Sequence, residues 1–227
     1  MLVSHKNKFI YIKNRKVAGS SVEAMFQEYC LPPKNIPDKK IDYIKPNDSS
    51  YGIVSGRLGG AKANKGPFSA HMQATSIKKC IGADLFNSYF KFSVVRNPFD
   101  HAVSGFWHNA RHNEFLSSWS KPEEINSKIK SLFKKWLCST PRLSNWKIHT
   151  IDGSPICDFY IRYESLSSGI NFVFDKLNLS GTPGTIPKFK SNFRKSKLSY
   201  RAYYDSDTID IIKNMCKRDL DYFKYKF

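Results

Sequence analysis

Apolar residues in this chain gather into short runs separated by polar and turn-forming stretches, and the spacing within each run predicts its local structure. Residues 8–13, KFIYIK, form a β-rich apolar run that predicts a strand. Residues 19–30 carry Val22, Met25, Phe26 and Tyr29 at helical spacing. The stretch 31–67 is rich in Pro, Gly, Asn and Lys, includes Gly59-Gly60, and predicts a long irregular excursion. Helical spacing returns over 68–83, and YFKFSVV (89–95) predicts a short strand buried on both faces. Asn97-Pro98 has the chemistry of an N-cap followed by a first helical residue, which opens a helix to about residue 112. A helix is expected over 122–137, with Pro122 and two glutamates at its start, then an irregular segment, 142–155. CDFYIRY (157–163) is another buried-strand candidate, followed by a helix at 164–178, a basic loop at 181–197 and a last helix at 205–222. Strands alternating with helices imply an α/β fold, a parallel sheet with helices on both faces.

At 227 residues with 41% hydrophobic and 15% aromatic content, the chain is long and apolar enough for one domain with a real core. No run approaches the roughly 20 apolar residues that span a bilayer, and MLVSHKNKFIYIKN lacks the apolar centre of a signal peptide, so a cytoplasmic protein is expected. Five scattered cysteines with no CxxC pair suggest neither disulfides nor a zinc site, and no metal is expected. The net charge of +18 changes the picture more, because it favours an anionic partner and disfavours a cationic substrate.

Two segments carry candidate chemistry. In FIYIKNRKVAGSSVE (9–23) a strand delivers Lys16, Ala18, Gly19, Ser20 and Ser21 to a helix start. Backbone N–H groups and the helix dipole favour a phosphate or sulfate there, while lysine adds a point charge and the hydroxyls add donors. The GxxxxGK[ST] order of nucleotide hydrolases is absent. In FSVVRNPFDHAVSGFW (92–107), Arg96 stands at a strand end and Ser104 lies two turns inside the next helix. Arg96 suits an anion at that position, and an ordinary ion pair with Asp100 or Glu164 is the open alternative.

Together these segments resemble the sulfotransferases that use 3′-phosphoadenosine 5′-phosphosulfate (PAPS), closest to the carbohydrate-type branch, family 2. Lys16-Val17-Ala18-Gly19-Ser20-Ser21 resembles their 5′-phosphosulfate loop, and Arg96-Asn97-Pro98-Phe99-Asp100 with Ser104 resembles their 3′-phosphate motif. Ile161-Arg162-Tyr163-Glu164 and the tail from Tyr203 to Phe227 look like the later strand end and the C-terminus of that family. Ser20 stands where threonine is common, His101 where arginine is frequent, and no transmembrane anchor precedes the motifs.

The resemblance implies a P-loop-kinase-like sheet in a single domain, 1–227, with 31–67 and 108–155 as acceptor-site excursions. It implies PAPS as donor, 3′,5′-bisphosphoadenosine (PAP) as product, and a hydroxyl acceptor, a carbohydrate or glycolipid and possibly an anionic one. Lys16 would stabilise the leaving phosphate and His71 would be the base. Arg96 and Ser104 would hold the 3′-phosphate, Ser104 as a plain helix serine being the competitor. Tyr163 would lie near adenine or in the core. From the acid-free loop 188–201, either Arg194 or Lys195 would reach the donor. His5 and His112 read as surface residues; His101, His108 and His149 are weaker candidates for the base. Trp107, Trp136 and Trp146 read as packing residues. A small-molecule kinase, a basic nucleic-acid-binding module and a sulfotransferase fold that binds PAP without turnover are the rival readings.

Overall fold

The computed structural model describes residues 1–38, 46–55, 67–110, 113–121, 123–140, 143–181, 183–189 and 193–227. Gly59-Gly60, His112, Pro122 and Lys190 lie outside the described residues. In chain order the elements are β1 (Leu2–Ser4), β2 (Phe9–Ile12), α1 (Gly19–Phe26), β3 (Asn47–Ser49), β4 (Gly52–Val54), α2 (Ala74–Ile81), α3 (Ala83–Ser88) and β5 (Phe90–Val95). There follow α4 (Pro98–Ala110), α5 (Glu114–Ser117), α6 (Ser127–Cys138), β6 (Thr150–Ile151), β7 (Ser154–Pro155), β8 (Phe159–Arg162), α7 (Leu166–Lys176), α8 (Ser206–Met215) and α9 (Lys217–Phe223). They divide into two compact units, Met1–Val95 with Trp146–Phe189, and Arg96–Asn145 with Lys190–Phe227.

The first unit is a six-stranded sheet in the order β3-β4-β1-β2-β5-β8. Side chains alternate across it, as strand geometry requires. Phe9 and Tyr11 join Phe92, Val94 and Ile161 on the face covered by Val22, Met25 and Phe26 of α1 and Ile170, Val173 and Phe174 of α7. Ile10 and Ile12 join Val3 and Ile53 on the opposite face, under Ile77 of α2 and Phe86 of α3. Each such side chain, taken fully out of water, contributes about 1.5–3 kcal/mol.

The expected parallel sheet is present only in part. β2–β5 and β5–β8 are parallel, while β1–β2, β1–β4 and β3–β4 are antiparallel, so the sheet is mixed. The antiparallel half comes from Leu2–Ser4, for which the sequence pattern predicts no element, and from a tight β3–β4 hairpin inside the excursion expected to be irregular. Three-residue strands are too short to show an alternation of their own. The carboxyl ends of the parallel strands β2 and β8 lead into residues 13–18 and Tyr163, and β5 leads into Arg96, the first residue of the second unit.

The second unit is helical. Asn97 caps α4 by accepting from the Phe99 N–H at 3.0 Å, as its sequence position suggests. Asn126, accepting from the Ile129 N–H, starts α6 at Ser127, five residues later than expected, and α5 precedes it. Asp205 and Thr208 form a capping box on α8, and the expected last helix breaks at Cys216 into α8 and α9. Trp107 donates from Nε1 to the Tyr203 hydroxyl at 2.6 Å, and the Tyr204 hydroxyl donates to the Phe99 carbonyl at 2.7 Å, tying the 199–204 segment to α4.

In the first unit α7 approaches β8 so closely that a Cβ on Gly169 would lie 2.5 Å from Ile161 Cγ2. Gly169→Ala is therefore expected to destabilise the fold by about 1–3 kcal/mol through overpacking. Urea unfolding monitored by circular dichroism reads this as a lower midpoint with an unchanged slope.

Candidate active site

Six residues carry the chain from β2 to α1. Lys13 and Asn14 are fully buried, Arg15 is exposed and Lys16 is half-buried. Asn14 donates from Nδ2 to the Val94 carbonyl at 3.0 Å, joining the ends of β2 and β5. Lys16 (φ 59°) and Ala18 (φ 58°) both take the left-handed conformation, which costs an L-residue roughly 1–2 kcal/mol each. Strain of this kind on two residues of one loop is the mark of a turn held for a purpose. No side chain caps α1 and its first turn contains no carboxylate, although Ser20 and Ser21 stand in that turn. Cation, hydroxyls and helix start thus have the chemistry of an anion site, and they fit the phosphosulfate expected there.

Packing gives Gly19 a reason to be glycine. A Cβ there would lie 3.0 Å from Lys13 Cγ and Cε and 3.3 Å from the Asn14 carbonyl, so the start of α1 rests directly on the lysine stem. The Lys13 ammonium, one turn below, is ion-paired with Glu23 of α1. The other Glu23 oxygen accepts from the Met1 ammonium at 2.7 Å, which also donates to Ser55 Oγ and the Ala70 carbonyl. Burial alone would raise the Glu23 carboxyl, but the two ammonium groups overcome it and hold its pKa at about 2.

The Lys13 carbonyl accepts from His71 Nδ1 at 3.0 Å. A carbonyl can only accept, so Nδ1 carries the proton and the neutral ring presents its lone pair at Nε2. Burial lowers the His71 pKa; the carbonyl contact opposes that, and the charges of Lys13, the Met1 ammonium and Arg15 reinforce it, leaving the value at about 4. His71 is therefore neutral near pH 7 and able to accept a proton.

The other described histidines have structural partners. His149 is buried beside the Tyr160 hydroxyl at 3.1 Å, His101 is buried 3.3 Å from Asn145 Nδ2, and His5, expected at the surface, is half-buried against the Tyr89 hydroxyl at 3.0 Å. His108 packs edge-on against Phe193, with centroids 5.2 Å apart. Tyr163 packs against the core on the α1 and α7 face, and Trp107 and Trp146 are buried while Trp136 packs onto α4 at Gly105.

In the second unit the ion pair weighed for Arg96 is present. Arg96 Nε and Nη2 both lie 2.7 Å from Asp100 Oδ2, and Arg194 Nη1 donates to the other oxygen, Oδ1, at 3.1 Å. Asp100 and Ser104 are one turn apart on α4, and His108 is one turn further on the same face. Arg194 meets Asp100 and Phe193 meets His108, so the half-buried Ser104 lies on the stripe that residues 193–194 follow. Of the two basic candidates, Arg194 converges with Arg96, whereas Lys195 is exposed.

Sequence reasoning missed Lys13 and Glu23. The signal was available: Phe9, Tyr11 and Lys13 share one face of a strand whose first two members are core residues. A lysine extending that buried face needs a carboxylate, and Glu23 is the nearest one along the following helix.

A strained strand-to-helix turn offers a lysine and two hydroxyls, and a neutral histidine is tied to the same strand end. The chain is a member of the sulfotransferase family: the model described as Sulfotransferase family matches residues 1–226. No curated relative and no solved structure matches it. Among the described residues, no helix is long and apolar enough to cross a membrane, and no group of three or more His, Cys, Asp or Glu side chains is arranged to hold a metal ion. All five cysteines are free thiols.

His71 and His149 both have folded pKa values of about 4, below the ordinary 6.5. The unfolded chain therefore takes up these protons first. Their contribution to stability is complete above pH 6.5 and is lost as pH falls towards 4, by about 1 kcal/mol per pH unit for each ring. Denaturation of wild type and His71→Asn between pH 7 and 4.5 should show a difference in slope of about that size.

Proposed function

We propose that the protein transfers a sulfuryl group from PAPS to a hydroxyl of a carbohydrate or glycolipid acceptor. The observation that carries this reading is the loop 13–18, where two left-handed residues deliver Lys16 to an uncapped helix start. Family membership supports sulfotransfer as the activity. The donor, the acceptor class and the cytoplasmic location expected from the sequence belong to the proposal.

In this reading the Gly19–Ser21 start of α1, with Ala18, receives the 5′-phosphosulfate. Arg96 and Ser104 receive the 3′-phosphate with Arg194 as the basic-loop partner, and Tyr163 serves the adenine. His71 Nε2 removes the acceptor hydroxyl proton as the new oxygen–sulfur bond forms. The bond from sulfur to the bridging phosphate oxygen breaks, and its electron pair stays on that oxygen. Lys16 stabilises the growing charge there, which costs about 10²–10³ in rate when such a donor is lost. The products are a sulfate ester, PAP and protonated His71. A base with a pKa of about 4 is weak, chiefly through burial, and an arriving polyanion strengthens it by offsetting the positive charges of Lys13, the Met1 ammonium and Arg15 that add to the depression.

Calorimetric titration with PAP, 5′-AMP and ATP, without magnesium, tests the reading. Strong preference for PAP over 5′-AMP, lost in Arg96→Ala, is the expected result, together with a fall of about 10²–10³ in transfer from PAPS for Lys16→Ala. Binding of ATP only with magnesium would favour a kinase. Binding of none of the three would favour a polynucleotide, with affinity falling steeply in salt.

A further inference from the structure

We infer that Asp100 is the positioning residue of the cationic site on α4, a single carboxylate that sets the Arg96 and Arg194 guanidinium groups as a fixed pair for a phosphate monoester. This rests on the donor reading above and adds to it the group that confers selectivity for the 3′-phosphate.

The two arginines come from segments 98 positions apart in the chain, Arg96 at the start of α4 and Arg194 in the basic loop. Two guanidinium groups brought together repel each other, and a helix start repels both. Asp100, in the first turn of α4, is where a carboxylate is most stable and can remove that repulsion. It serves one arginine with each oxygen: Oδ2 takes the Nε and Nη2 edge of Arg96, and Oδ1 takes Arg194 Nη1.

Further contacts define the pose of Arg194. Its Nη2 donates to the Leu198 carbonyl, and its guanidinium carbon lies 5.8 Å from the centre of the Tyr203 ring. The loop is thus tied to α4 through Arg194 and folded back on itself between 194 and 198, and Ser104 on the same face of α4 stands one turn from the carboxylate. Arg194 Nε is buried with no hydrogen-bond partner among the described residues, a donor held in place without an acceptor. Two cations and one carboxylate leave one net positive charge in a fixed shape, and arginine forks suit phosphate oxygens.

Charge and geometry make opposite predictions for this carboxylate. As a negative charge near an anion site, Asp100 opposes binding, so Asp100→Asn should tighten PAP if charge alone matters. As a positioning residue it orients both forks, so the same substitution should weaken PAP although a negative charge has gone. A loss of roughly tenfold to a hundredfold is expected, the scale on which partners that orient ligand-binding groups act. 5′-AMP lacks the phosphate that the pair would hold, so its affinity should stay within a few-fold.

The experiment titrates PAP and 5′-AMP into wild type, Asp100→Asn and Arg194→Lys by calorimetry, each checked for folding by circular dichroism. Weaker PAP binding in Asp100→Asn with unchanged 5′-AMP binding supports the inference. Unchanged or tighter PAP binding overturns it. If Asp100→Asn does not fold, Arg194→Lys decides, because it keeps the charge and loses the fork: wild-type PAP affinity there overturns the inference, and a loss of tenfold or more supports it. A wild type that does not distinguish PAP from 5′-AMP overturns the donor reading itself, a result separate from a selective wild type whose selectivity survives in Asp100→Asn.

Discussion

The buried ion pair between Lys13 and Glu23 is the interaction on which the first unit's site depends. Lys13 enters the site three ways. Its stem is the floor under Gly19, its ammonium anchors α1 through Glu23, and its carbonyl fixes the tautomer of His71. Moving this one residue would disturb the helix start, the turn above it and His71 together. Removing one member of such a pair costs about 3–5 kcal/mol, because the other is left charged and buried.

The second unit handles its cations by the same device. Glu23 takes the Lys13 and Met1 ammonium groups on its two oxygens, and Asp100 takes Arg96 and Arg194 on its two. Each carboxylate lies on the helix that follows a parallel strand, Asp100 in the first turn of α4 after β5 and Glu23 in the second turn of α1 after β2. A helix start is favourable for a carboxylate, and a carboxylate there can gather positive charge without a metal ion. The excess of 37 basic over 19 acidic residues makes such gathering necessary wherever cations are packed closely.

The sequence made the parallel strands, α1, α4 and the two motif segments legible, because buried strands and an Asn-Pro cap leave strong local signals. It did not reveal β1, β3 and β4, whose pairing is a tertiary choice made by three residues each. The β6–β7 hairpin was legible but unread: Asp152-Gly153, both with positive φ, is the dipeptide that a two-residue hairpin turn selects. The start of α6 was misplaced because the glutamates at 123 and 124 look like a first turn, whereas the Asn126 side chain makes the cap. For the site, residue types were legible and pairings were not. Arg96 had one carboxylate, Asp100, one helical turn away and a distant alternative in Glu164, and Arg194 had none that sequence distance would suggest.

His71 shows why the pairings matter for chemistry. Its ring is kept neutral by burial and by neighbouring positive charge, so in the protein alone it is a poor base that is always in its basic form. An anion arriving near Lys16 and the start of α1 adds negative charge to the same surroundings. The imidazolium is then stabilised, and the driving force for taking a proton rises with the anion in place. On the proposed reading this links base strength to occupancy of the site: His71 gains strength as a base when the anionic nucleotide is bound. The positive charge of Lys13 serves both states, holding α1 in place when the site is empty and adding to the depression that burial imposes on His71, which a bound anion would offset.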